Sequence, residues 1–200
     1  MIKVGLTGGI CTGKTTVGQM FVNRGCYLID SDRIAHALLE PNQKVHSDVI
    51  DEFGHRIKDS DGRIDRALLG EIVFNDPARR QKLNDLVHPA VIQRQSEFIE
   101  DVLAKDPSSV AIVDAALMIE VGTYTSYDRL IVVTCEAAQQ KDRLKSRTGL
   151  PDEKIKARIS SQMSLAEKVS YADFVIDNAG LLEETERQVE AVYGILREEV

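Results

Sequence analysis

At 200 residues, 43% hydrophobic and 28% charged, the chain has the make-up of a soluble globular protein with room for one core and an insertion. A net charge of −7 argues against a broad nucleic-acid surface, which needs clustered Lys and Arg, and no apolar run approaches the ~18 residues of a membrane span. The three cysteines are an odd number without metal-ligand spacing, which argues against a disulfide framework; Cys26 and Cys135 are expected to be buried small hydrophobes.

The first predicted element is a strand, IKVGLT (2–7), entered directly after a single Met. It lacks the charged-then-apolar build of a signal peptide, so the expected location is the cytoplasm. A Gly-rich loop follows, and then a helix with Val17, Met20 and Phe21 on one face. The second strand is CYLID (26–30). About eighty residues separate it from the third, VAIVD (110–114), far more than one crossover needs. Residues 33–53 and 65–105 read as helix, so this is an inserted helical subdomain rather than a loop. In it Val91, Phe98 and Val102 share a face, with Ile92, Ile99 and Leu103 alongside. The strands RLIVVT (129–134) and DFVIDN (173–178) come next, with a final helix striped by Leu182, Val189, Val192 and Leu196. The strands alternate little between apolar and polar, as expected when both faces are covered. Strands alternating with helices predict an α/β fold on a parallel sheet.

The loop GGICTGKT has the spacing G-x-x-x-x-G-K-T from Gly8 to Thr15, between a strand and an amphipathic helix. Backbone N–H groups of Gly8, Gly9, Ile10, Cys11, Thr12, Gly13, Lys14, Thr15 and Thr16 are the candidates to wrap nucleotide phosphates, helped by the helix N-terminus. Lys14 is placed to bridge the β- and γ-phosphates and Thr15 to ligate Mg²⁺. A thiol at Cys11, beside a helix N-terminus and Lys14, is expected to react with alkylating reagents. The chain has no N-K-x-D motif for guanine, so ATP is the expected nucleotide and a small kinase the expected class.

In an open parallel sheet, ligands gather at the carboxyl ends of the strands. Asp30 and Asp32 end the second strand and Asp114 ends the third. Asp32 is the candidate to orient an acceptor hydroxyl and take its proton; its structural alternative is to cap a helix starting at Arg33. Asp114 is equally well read as a Mg²⁺-supporting carboxylate or as a strand terminator. After the fourth strand, Arg143 and Arg147 lie one helical turn apart, ahead of a break at Gly149-Leu150-Pro151. Two helices around such a break make a mobile lid, with Arg143 directed at the transferring phosphoryl group. Lys145, Lys154 and Lys156 read as exposed charges. His88-Pro89 is expected just ahead of the long inserted helix, with Pro89 at its first position.

Together these residues resemble the dephospho-coenzyme A kinase family. The resemblance rests on GLTGGICTGKTTV at the start, IDSDRIAH (29–36), DRALLGEIVFND (65–76), LNDLVHPAV (83–91), VDAALMIEVG (113–122), YDRLIVVTC (127–135), QKDRLKSRTGL (140–150) and ISSQMSLAEKVSYADFVIDNAG (159–180), in order along nearly the whole chain. Three local departures stand out: Cys11 in place of Gly, Ser31 at the centre of the acid-x-acid motif, and Ala116, Met118 and Ile119 in place of Pro, Leu and Phe.

The resemblance implies a P-loop kinase with a five-stranded parallel sheet of order 2-3-1-4-5. It divides one kinase domain into a core (1–32, 106–138 and 170–200), a helical CoA-binding insertion (33–105) and a lid (139–169). It implies ATP, Mg²⁺ and dephospho-CoA as ligands, with phosphorylation of the ribose 3′-hydroxyl, and neither nucleic acid nor membrane as partner. Lys14, Asp32 and Arg143 take the catalytic roles. Arg147 and Asn178 join the phosphate loop in binding ATP, Asn178 in a turn near adenine. Arg66, His88 and Pro89 join Asp32 on the acceptor side, and Thr15 and Asp114 are placed at the metal. Two rivals remain at this point: a P-loop kinase for another small acceptor, such as a nucleoside monophosphate or shikimate, and a non-catalytic nucleotide-binding module. Nothing in the sequence indicates an oligomeric state.

Overall fold

The computed structural model describes the backbone of residues 1–200 and every side chain except that of Asn75. In chain order the elements are β1 (Ile2–Gly8), α1 (Lys14–Val22), β2 (Tyr27–Asp30), α2 (Ser31–Leu38), α3 (Lys44–Phe53), α4 (Arg66–Asn75), α5 (Pro77–Lys105), β3 (Val110–Asp114), β4 (Arg129–Thr134), α6 (Ala137–Thr148), α7 (Asp152–Ser160), α8 (Leu165–Val169), β5 (Phe174–Asp177) and α9 (Leu182–Glu198). They form two compact units, residues 31–98 and the remainder.

Among the described residues of the larger unit, the strands make one all-parallel sheet of five, in the order β2-β3-β1-β4-β5. Burial follows position in that order. β3 is buried at every residue and β1 and β4 nearly so, while the edge strands β2 and β5 are only partly covered. The absence of polar alternation is explained by the two faces. On one, Val4, Leu6, Ile112, Ile131 and Ile176 meet Val17 and Phe21 of α1 and Val189 and Leu196 of α9. On the other, Val113, Leu130 and Val132 pack on Met118 and Ile119 of the segment after β3. Successive residues of a strand point to opposite faces, so both parities must be apolar. Gly5 of β1 lies on the second face, where a Cβ would come 2.6 Å from the Met118 sulfur. Leu182, expected in the α9 stripe, is exposed.

The smaller unit has its own core, built from Leu38, Val49, Ile50, Phe53, Ile57, Leu69, Val87 and Val91. Two of its helices, α4 and α5, start on side-chain caps. Asp65 Oδ1 accepts from the Ala67 and Leu68 N–H groups, and Asp76 Oδ1 from those of Ala78 and Arg79. The second cap, with Pro77 as first helical residue, starts α5 well before His88-Pro89. Pro89 therefore lies inside the helix, not at its beginning. It costs one ladder hydrogen bond, and Val87 and Val91 on either side carry the helix through by burial in the unit core. Ile92 and Leu103 face solvent, so the apolar stripe of α5 is narrower than its sequence suggests.

Candidate active site

The phosphate loop leaves the carboxyl end of β1, a largely enclosed strand, and ends at the N-terminus of α1. Two of its residues are left-handed: Gly13 at φ 95° and Cys11 at φ 59°. Gly13 adopts this freely, whereas Cys11 bears a cost of about 1 kcal/mol for its Cβ. Thr12 is fully buried and closes the turn, its Oγ1 and N–H both donating to the Gly9 carbonyl, at 3.0 and 3.3 Å. Close packing requires the flanking glycines. A Cβ at Gly8 would sit 2.6 Å from the Val133 carbonyl, and one at Gly13 would run into the Asn178 amide. No acidic side chain occupies the first turn of α1, so its amide donors and dipole are left to an external anion.

Side chains from outside the loop hold its backbone. Gln140 Nε2 donates to the Ile10 carbonyl at 2.7 Å, and the Ile10 N–H donates to Gln162 Oε1 at 2.9 Å. Arg143 reaches the Cys11 carbonyl at 3.5 Å through Nη1 and the Asn178 carbonyl at 3.1 Å through Nη2. Asn178 Nδ2 donates to the Thr12 carbonyl at 2.8 Å, and its Oδ1 accepts from Thr185 Oγ1 at 3.2 Å. Arg143, expected on the phosphoryl group, is thus engaged with main-chain carbonyls of the loop and of the turn after β5. The amide of Asn178, expected near adenine, is engaged with the loop and α9. Arg147, one turn further along α6, is exposed.

Lys14 Nζ pairs with Asp114 Oδ1, and the Asp114 side chain is 4% exposed. Asp30 is the register partner of Asp114 across β2 and β3, so two carboxylates stand side by side at the carboxyl edge of the sheet. Thr15 and Thr16 are exposed in the first turn of α1. Among the described residues no group of three or more His, Cys, Asp or Glu is placed to hold a metal. Mg²⁺ needs no such cage: it takes hard oxygen donors and leaves most of its coordination to water and phosphate. The Thr15 hydroxyl and the Asp114 carboxylate fit that donor chemistry.

In the smaller unit, Asp32 is the second residue of α2, which already begins at Ser31. It is therefore not the N-cap of a helix starting at Arg33, and its side chain is exposed. Ser31 is buried, its Oγ accepting from Gln95 Nε2 at 2.7 Å. Arg66 is the exposed first residue of α4, and His88 and the exposed Pro89 lie within α5.

Sequence reasoning missed a second set. The Lys168 side chain is fully buried, pairs with Glu120 at 2.8 Å and donates to the Ala116 carbonyl at 2.7 Å. That carbonyl also accepts from Thr7 Oγ1 at 3.2 Å, and Glu120 accepts from the Met163 N–H at 3.1 Å. The segment following Asp114 is thereby tied to β1 and α8. Gln140 left one sequence signal: three residues before Arg143, it lies on the same face of α6. The three cysteines are free. Burial pushes the Cys26 thiol up to about 12, and burial also raises that of Cys135. Cys11 is the partly exposed one.

A phosphate loop on a parallel sheet of this order, with its lysine beside an acidic strand end, defines a P-loop kinase. The Dephospho-CoA kinase family matches residues 2–184. A dephospho-CoA kinase of Aquifex aeolicus is 42% identical over 193 residues, covering 96% of this chain and 96% of that one. Among solved structures, the dephospho-CoA kinase of Campylobacter jejuni superposes with a TM-score of 0.72 at 27% identity, covering 98% of each chain. A Thermus thermophilus crystal structure superposes with a TM-score of 0.79 at 29% identity, covering 98% of this chain and 97% of that one. The chain belongs to the dephospho-CoA kinase family.

Proposed function

We propose that this chain transfers the γ-phosphoryl group of ATP to the ribose 3′-hydroxyl of dephospho-CoA, the last step of coenzyme A synthesis, with Lys14, Asp32 and Arg143 as its working side chains. The observation that carries the reading is the loop itself. The cradle is intact and Lys14 opens α1 directly behind it, in a chain whose family match covers residues 2–184. In this reading the loop amides, Lys14 and Arg143 offset the charge that spreads over the equatorial oxygens in transfer. Lys14 exchanges its Asp114 partner for phosphate when ATP enters. Asp32, two residues past the end of β2, orients the acceptor hydroxyl and takes its proton. Arg66, His88 and Pro89 serve the CoA side within the insertion 33–105, residues 139–169 form the lid with Arg147 toward ATP, and Asn178 supports the nucleotide site through the loop. The Thr15 hydroxyl and the Asp114 carboxylate would hold Mg²⁺, which would supply further charge neutralisation at the phosphates. The working compartment in this reading is the cytoplasm.

The test is direct. Purified protein with Mg²⁺-ATP and dephospho-CoA is expected to release ADP and coenzyme A, while a panel of nucleoside monophosphates and shikimate gives no transfer. Activity confined to the panel would overturn the acceptor. Asp32→Asn is expected to lower kcat by about 100-fold or more with folding intact, in the range of general-base loss. Near-normal turnover in that variant would remove Asp32 from the role.

A further inference from the structure

We infer that Gln140 is a positioning residue for phosphoryl transfer: by clasping the Ile10 carbonyl it aims the Cys11 amide into the phosphate cradle and keeps Cys11 in its left-handed turn. The inference rests on the phosphate-loop reading above.

A trans peptide points its C=O and N–H in opposite directions. Holding the Ile10 carbonyl at 2.7 Å therefore turns the Cys11 N–H away from α6. The same is done, in sequence, to the next two peptides: the Cys11 carbonyl takes Arg143 and the Thr12 carbonyl takes Asn178. Three consecutive carbonyls are thus gathered by side chains outside the loop, so the loop is tethered from its rear. Gln140 supplies the shortest of these contacts and is 5% exposed. A buried amide N–H directed at a part-buried carbonyl is hard to replace, because losing it leaves the acceptor without an equivalent partner.

The glycine pattern agrees. Gly9 is not one of the positions where φ requires glycine. A Cβ there would lie 2.5 Å from Gln140 Nε2, so Gly9 leaves the room that the clasp occupies. Cys11 at φ 59° gains most from the tether, since an L-residue in this region stays put only when its surroundings hold it. The cradle thus depends on a residue of α6 that has no need to touch ATP.

The experiment compares wild type with Gln140→Met, which keeps the bulk and removes the donor, and Gln140→Glu, which presents an acceptor to an acceptor. ATP affinity is measured by titration calorimetry, and KM for both substrates in the steady state. The expected result is about tenfold weaker ATP binding for Gln140→Met, the factor for one lost buried hydrogen bond, with a larger loss for Gln140→Glu and an unchanged KM for dephospho-CoA. Gly9→Ala, which displaces the clasp from the other side, is expected to reproduce the ATP defect, and combining it with Gln140→Met to add little. It serves as the second variant should the first not fold. Wild-type ATP affinity in Gln140→Met, or an equal rise of both KM values, would overturn the inference. Failure of the wild type to bind ATP would overturn the phosphate-loop reading instead.

Discussion

Cys11 holds a φ of 59° at a position where most side chains would refuse it, and it is the partly exposed thiol of the three. Cys26 and Cys135 are buried and their thiols are held neutral by that burial. Alkylation of the native protein is therefore expected to stop at one equivalent, on Cys11, to abolish activity and to be blocked by bound ATP; mass spectrometry of the modified chain checks both site and count. Full activity after stoichiometric modification would sink the idea. In the proposed role, where the Lys14 charge serves the phosphates most in the transition state, Lys14→Ala is expected to cut kcat/KM by about 1000-fold or more. Steady-state assays with folding followed by circular dichroism test this. The turn at Gly8 and Gly13 was legible because it depends on local spacing. Gln140 and Lys168 were not, because what they do depends on carbonyls far away in sequence. A lysine in AEKVS reads as surface until Ala116 and Glu120 are found around it.

At the scale of elements, the strands were read to within a residue or two because a run of Val and Ile covered on both faces has few alternatives. The helices of the insertion were blurred, because their boundaries are set by Asp65 and Asp76 side chains and not by apolar period. Pro89 misled for the same reason: the real start signal, Asp76-Pro77, lay upstream. The segment between β3 and β4 depends on one buried charge pair. Glu120→Ala leaves the Lys168 ammonium buried with only main-chain acceptors, and is expected to destabilise the protein by about 2–3 kcal/mol, at the low end for broken buried pairs because Glu120 is partly exposed. Urea unfolding of the variant measures it, and a loss under about 0.5 kcal/mol, the size of an exposed pair, would refute it. Asp152 is an outer tie of the α6–α7 pair: hydrogen bonds from Lys141 and Lys145 hold its carboxyl down to about 2. The tie is whole above an ordinary carboxylate value and is lost as pH falls from there through about 2.

The whole molecule carries a weakness at the other end of the pH scale. Burial raises Cys26 from 9.0, and Tyr127 from 10.0, to about 12 each. Both groups are neutral in the folded chain and ionise earlier once it unfolds. Their contribution is intact below the unfolded values and is lost as pH rises from there toward 12. The thermal midpoint is expected to fall between about pH 8 and about pH 11, and more steeply in wild type than in Cys26→Ala, where one of the two titrations is gone. Parallel slopes would exclude Cys26 as a cause.

The graded burial of the sheet has a consequence for hydrogen exchange. Amides of β3, β1 and β4 sit in the enclosed centre and open only with the whole larger unit, while those of β2 and β5 exchange from the edges. The phosphate loop is rooted in one of the slowest of these strands. Its N-terminal anchor is therefore expected to stay fixed through local openings of the edge strands, so motion elsewhere leaves the cradle still.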